Sequence, residues 1–407
     1  MLFFSWLRNS TSIRSPRCRA PYFRPQLETL EGRTLLYNYT AATVSDLIAD
    51  INAANTAGGA NTITLTAPAT SPYVMTAVNN YTNGPNGLPV ISGGSKKVAA
   101  DNLTIIGNGD TLDGSKALRL FDVAKGSSLT LENLTLQNGF AYYGTGGTAE
   151  GGAVLNQGTL TLSGVSVLGN IAQGLQGGTT KKGFGTAGYD AAGGGIWSSG
   201  SLTVENQSVI RSNSALGGVG GYSTAASGGG RGAGGKAFGG GICIAGGTAN
   251  ITNSNIGTYY PLGGYGIGNK AVGGSGYNGI SNGAGAAYGG GVYVGGGTVT
   301  LHADSIEANT AQGTASYGLG GTYGSGYGGG LYVASGSVTL TNDTIDHNQA
   351  GDVFNFGTGW TVENGYGGGI FIASGAVVYL DSFTVTNTYS NEPSYRSDID
   401  GTYTLLS

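Results

Sequence analysis

Charged side chains are scarce in this chain. Asp, Glu, Lys and Arg together make up 10% of 407 residues, well below the roughly 25% of an ordinary globular protein. A chain that stays disordered through charge and polarity carries more. Proline is also scarce, at 9 residues, which excludes collagen and a polyproline linker. Two cysteines, Cys18 and Cys243, cannot build a disulfide framework. No apolar run reaches the roughly 18 residues that span a bilayer. Two Cys and two His, widely separated, give no zinc-ligand spacing. The glycine-rich stretches carry almost no Asp and are followed by no Gly-Lys-Ser/Thr, so they supply neither calcium ligands nor a phosphate loop. No cofactor is expected.

Glycine fills the space these absences leave, with 81 residues. The charge that is present is uneven. Residues 1–40 hold Arg8, Arg14, Arg17, Arg19, Arg24 and Arg33 against Glu28 and Glu31, a balance of +4, and the remainder balances at −8. An acidic body has no footprint for nucleic acid. The basic head reads as a targeting segment. Within it, Leu27, Glu28, Leu30, Glu31, Arg33, Leu35 and Leu36 resemble the Leu-Glu-x-Leu-Glu-x-Arg-x-Leu-Leu leader of large exported planctomycete proteins. That resemblance implies an extracellular, cell-surface or outer-membrane destination and says nothing of activity.

Thr43 followed by Asp46 predicts a capping box, and Val44, Leu47, Ile48 and Ile51 share one helical face, with an end at Gly58-Gly59. Beyond it the pattern has period two, as in Leu103-Thr104-Ile105, Leu118-Arg119-Leu120-Phe121 and Leu129-Thr130-Leu131, which predicts short strands. A small-residue triplet before apolar residues recurs at Gly151-Gly152-Ala153, Gly193-Gly194-Gly195, Gly239-Gly240-Gly241, Gly289-Gly290-Gly291, Gly328-Gly329-Gly330 and Gly367-Gly368-Gly369, spaced by 42, 46, 50, 39 and 39 residues. Second strands follow, such as Leu160-Thr161-Leu162 and Val338-Thr339-Leu340. A third apolar site comes after them at Val167, Val209, Ile306 and Ile345. Asn closes the units at Asn170, Asn213, Asn309, Asn348 and Asn387, while one unit has Tyr259 at that place.

Each unit is expected to form three short strands in about 20 residues that cannot bury an apolar face alone, so units must stack. Inward Leu, Val and Ile, outward Thr, and a ladder of Asn amides follow from stacking in register. The fold class is therefore all-β, a right-handed parallel β-helix with a short N-terminal capping helix. The expected organisation is 1–38 leader, 39–100 N-terminal cap and first strands, 101–390 β-helix, and 391–407 C-terminal cap with a covering strand near Tyr403-Thr404-Leu405. The glycine-rich remainder of each unit is either a second coil or a long loop. The triplets resemble the Gly-Gly-Ala-Ile repeats of polymorphic outer-membrane proteins, which implies a surface-exposed adhesive or structural β-helix.

Other right-handed β-helices are pectate lyases and polygalacturonases, so catalysis has to be weighed. Asp343, Asp346 and His347 are the densest chemical group. The repeat aligns Asp346 with Glu307 and Arg211, and His347 with Ala308 and Ser212, which reads as a solvated turn. His302 reads as an exposed strand residue. No catalytic, cofactor or metal residue is assigned. Tyr142, Tyr143, Tyr189, Tyr222, Tyr265, Tyr277, Tyr288, Tyr317, Tyr323, Tyr327 and Tyr366 lie in or beside glycine-rich segments, either covering the coil or offering rings to a sugar or protein. The expected function is a non-enzymatic surface or secreted structural and adhesive protein, with a surface polysaccharide or another cell-surface protein as partner. The alternative is a polysaccharide lyase or glycoside hydrolase.

Overall fold

The computed structural model describes residues 37–68, 70–92, 101–142, 147–224, 230, 232–260, 265–276, 283–314, 324–355, 360–363, 365–393 and 397–407. The leader pattern and Tyr143, Tyr277, Tyr317 and Tyr323 lie outside them.

The chain winds into a parallel β-helix. One coil contributes a strand to each of five sheets. In the coil that starts at Ala149 these are Ala149–Glu150 (sheet I), Val154–Asn156 (sheet II), Thr159–Ser163 (sheet III), Ser166–Leu168 (sheet IV) and Ile171–Gln173 (sheet V). The next sheet I strand begins at Ala191, and later ones at Ala237, Ala287, Gly326 and Gly365. The whole triplet-to-triplet interval is therefore one coil of five strands, which corrects the expected coil of about 20 residues and three strands.

The cross-section tapers, and side-chain size sets the taper. Sheets II, III and IV enclose buried Leu, Ile and Val, for example Leu160, Leu162 and Val167. Each such side chain contributes about 1.5–3 kcal/mol on burial. The inward residue of sheet IV is Ile210 and not Val209, because Val167, Ile210, Ile256, Ile306 and Ile345 share one register. Sheets V and I face each other through alanine, Ala172, Ala215, Ala271 and Ala311 against Ala149, Ala191, Ala237 and Ala287, and through Gly326 and Gly365 in the last coils. Beyond them the two walls meet as glycine-rich arms, and backbone bonds to backbone.

These arms have their own period. Gly174, Gly177 and Thr180 donate to Leu216, Val219 and Tyr222 of the next coil at 2.8, 2.9 and 3.1 Å. On the way back Gly185, Gly188 and Ala191 donate to Gly230, Ala233 and Lys236. Thr186 and Tyr189 donate across the same coil to Gly178 and Leu175. A three-residue repeat is that of polyproline II, which has no internal hydrogen bonds and turns its amides to neighbours. A Cβ on Gly218 would lie 1.9 Å from the Leu175 carbonyl oxygen. In these stretches, then, the glycine-rich segments are loops, but loops stacked as regularly as the sheets.

The triplet is the neck of the taper. Its first glycine is left-handed in every unit, with φ between 55° and 64°. A Cβ on the second, as at Gly290, would sit 2.4 Å from backbone atoms of both Gly329 and Thr310. The third faces the Asn column.

The helix α1, Val44–Ala57, has the predicted Thr43–Asp46 capping box and ends at Gly58, and it buries Leu47, Ile51 and Ala54 at the N-terminal end of the core. A strand at Tyr37–Ala41 precedes it and pairs with Asn61–Leu65. At the other end Ile399–Asp400 and Thr404–Leu405 pair with sheets II and III. The strand expected around Arg119 begins only at Phe121. Arg119 is fully buried, donating to the carbonyls of Asn83, Glu150 and Gly151 and to Asn86 Oδ1, so it fastens the preceding loop to the coil.

Candidate functional site

Three columns of polar or aromatic side chains run along the coils, and they determine which residues remain for chemistry. The first is the Asn column: Asn170, Asn213, Asn269, Asn309, Asn348 and Asn391, all buried. Each Nδ2 from Asn170 to Asn348 donates to the next Oδ1 at 2.9–3.0 Å. Each backbone N–H of those five donates to the same oxygen, and each of the six Nδ2 groups also reaches a carbonyl of the preceding coil. Two expected members are corrected. Asn269, not Tyr259, holds the place in its coil, because a hairpin with Tyr259–Tyr260 paired to Tyr265–Gly266 is inserted before it. Asn391 replaces Asn387, which caps the inserted helix α2, Ser382–Thr386.

The second column lies at the corner between sheets III and IV: Ser208, Ser254, Asp304, Asp343 and Thr384, all buried. Asp304 Oδ1 accepts the Ser254 N–H and Asp343 Oδ1 accepts the Asp304 N–H, both at 2.8 Å. Burial pushes the Asp304 carboxyl up to about 7 and the Asp343 carboxyl up to about 8. Asp343 Oδ2 has no partner. A carboxyl raised in the fold stays protonated there while the unfolded chain ionises near pH 4. Stability from this pair is therefore fully present below about pH 4 and is lost as pH rises to about 8. Asp343→Asn keeps the acceptor and removes the titration. Urea midpoints measured across that range are expected to fall less steeply for the variant, with the variant more stable at pH 8.

The third is aromatic. Phe238, Tyr288, Tyr327 and Tyr366 stack along sheet I with centroids 5.2 Å apart. Tyr293, Tyr332 and Phe371 stack along sheet II, and edge contacts join the two rows. The ring faces meet each other, so these tyrosines cover the coil. Tyr142, Tyr189 and Tyr222 stay exposed.

Against this background, Asp343 separates from Asp346 and His347. It belongs to the corner column and is fully buried, not solvated. Asp346 is also buried, at 7% exposure, and lies outward on sheet IV. His347 Nδ1 is 3.0 Å from Asp346 Oδ2, and the His347 ring stacks on Tyr259 at 3.6 Å. Glu307, in register with Asp346, accepts from Tyr259 N–H at 2.9 Å and from Ser305 Oγ. Burial and the neighbouring Glu307 charge raise the Asp346 carboxyl. Tyr259 and Glu307 were not nominated from sequence, because they come from two other coils. His302 is exposed, with Nδ1 2.9 Å from Thr341 Oγ1.

Beside this cluster, a groove crosses the outer face of sheet IV, lined by Gln207, Val209, Asn253, Asn255, Ala303, Asp304, Ser305, Asn342 and Thr344. Ser305 links it to the cluster through Glu307. The groove, with the acidic cluster joined to it through Ser305, is the candidate site. No helix among the described residues is long and apolar enough to cross a membrane. Compared with known proteins, the chain matches no family model, no curated protein and no solved structure.

Proposed function

We propose that this chain is a non-enzymatic structural and adhesive β-helix protein, exported to the cell surface or secreted, that meets a polysaccharide or another surface protein. The observation that carries this reading is the state of Glu307. This carboxylate, joined to the groove through Ser305, has both oxygens engaged, one by Ser305 and one by the Tyr259 amide. It clamps the inserted hairpin and is not free to act as a base or nucleophile. The resemblance of the triplets to polymorphic outer-membrane repeats, and of the head to an exported-protein leader, supports the surface location.

One observation favours a glycoside hydrolase instead. Asp346, whose carboxyl is raised by burial and by the neighbouring Glu307 charge, stands on the strand next to Glu307, and glycosidases pair two carboxyl groups. The two readings part in a simple assay. The purified chain, incubated with neutral and uronate polysaccharides, is expected to release no reducing ends and no unsaturated uronate. Release that disappears in Glu307→Gln and Asp346→Asn would establish the enzyme. Protease shaving of intact cells tests the location.

A further inference from the structure

We infer that the groove on sheet IV is a binding site for a neutral glycan chain lying along the solenoid axis. This rests on the adhesive reading and names its ligand class. The side-chain amides of Gln207, Asn253, Asn255 and Asn342 are exposed in the groove, and none makes a hydrogen bond within the described residues. Backbone geometry accounts for part of this. Gln207, Asn253 and Asn342 are left-handed, with φ of 59°, 48° and 59°, a conformation that Asn tolerates. Asn255 has no such reason. It lies in the strand column Val209–Asn255–Ser305–Thr344, whose register is continuous over four coils.

The chemistry of the lining selects the ligand. An amide offers donors and an acceptor together, and a hydroxyl offers both, which suits sugar hydroxyls. No lysine or arginine lines the groove, while Asp304 lies in its lining and Glu307 is joined to it through Ser305. Arg211, in the neighbouring column, donates to the Tyr260 hydroxyl at 2.8 Å. An anionic chain would therefore find no lysine or arginine in the described lining to pair with, and a uronate is disfavoured. The polar groups repeat at the strand spacing of about 4.8 Å, comparable to the advance of one ring in an extended β-linked chain.

The test is isothermal titration calorimetry of the full chain with hexasaccharides of glucose, mannose and N-acetylglucosamine, and with hexagalacturonate. At least one neutral hexasaccharide is expected to bind, with affinity insensitive to salt, and Asn255→Ala is expected to weaken it roughly tenfold. Asn255 is a surface residue, and unchanged circular dichroism and melting show that the variant remains folded. Tighter binding of hexagalacturonate, neutral binding indifferent to Asn255→Ala, or no binding of any of the four overturns the proposal and leaves the surface-structural reading standing. Cleavage of a bound neutral hexasaccharide would instead sink the non-enzymatic reading and leave the groove assignment in place.

Discussion

Asn309→Ala is expected to be among the most damaging single changes in the chain, lowering stability by about 4 kcal/mol or more. Its Oδ1 accepts the Asn269 backbone N–H and the Asn269 side-chain amide, and its Nδ2 serves the Ile256 carbonyl and Asn348 Oδ1. Alanine removes four buried hydrogen bonds, at about 0.5–1.5 kcal/mol each, and the Asn269 N–H among them loses its acceptor outright, at about 1–3 kcal/mol. The surroundings cannot admit water easily, because a Cβ on Gly291 would already lie 3.0 Å from Asn309 Cγ. Asn309→Asp is a sharper version. It keeps the acceptor, removes the donor and adds a charge. Urea unfolding should show a lower midpoint for both, and hydrogen exchange should place the first loss of protection in the coils on either side of residue 309. A midpoint within error of the parent protein would mean that the amide column is ornamental.

The second large effect concerns glycine. Gly290→Ala is expected to cost more than about 3 kcal/mol, since overpacking an unyielding site exceeds the usual 1–3 kcal/mol. The added methyl meets the Gly329 carbonyl oxygen and the Thr310 carbonyl carbon, both 2.4 Å away, and neither backbone can rotate aside. Gly246→Ala is the control, because nothing lies within 4 Å of its Cβ position and its φ is not left-handed. That change should be neutral or stabilising by about 0.4–1 kcal/mol through the unfolded state. Equal melting temperatures for the two variants would contradict the neck described above.

Parts of this architecture are written plainly in the chain. Thr43 and Asp46 announce α1, and the alternation of Leu129-Thr130-Leu131 announces sheet III, because both signals are local. What was hidden depends on residues far apart. The glycine-rich arms show Gly217-Gly218-Val219-Gly220-Gly221, a period of three that neither a helix nor a strand template detects. It acquires meaning only when another arm lies against it. Asn269 and Asn391 were missed because counting along the chain assumes no insertions, whereas the hydrogen bonds keep to the column. Arg119 fell within an expected short strand, and only the loop folded over it makes it a core residue. The candidate site was half visible. The Asp346–His347 adjacency is sequential, but Tyr259 and Glu307 join it only through winding. Asp343 was grouped with them by nearness in the chain, though the corner turns it to the other side.

The hairpin before Asn269 carries a further consequence. The coil took in about ten extra residues, and helix α2 was taken in at a different corner, yet the columns on either side kept their bonds. The solenoid therefore behaves as a rack with interchangeable fittings. Its sheets and neck forbid novelty, while its corners accept foreign segments without disturbing the shelf above or below. Variation among proteins built on this plan should collect at those corners, where a new fitting changes what the surface meets while the frame stays the same.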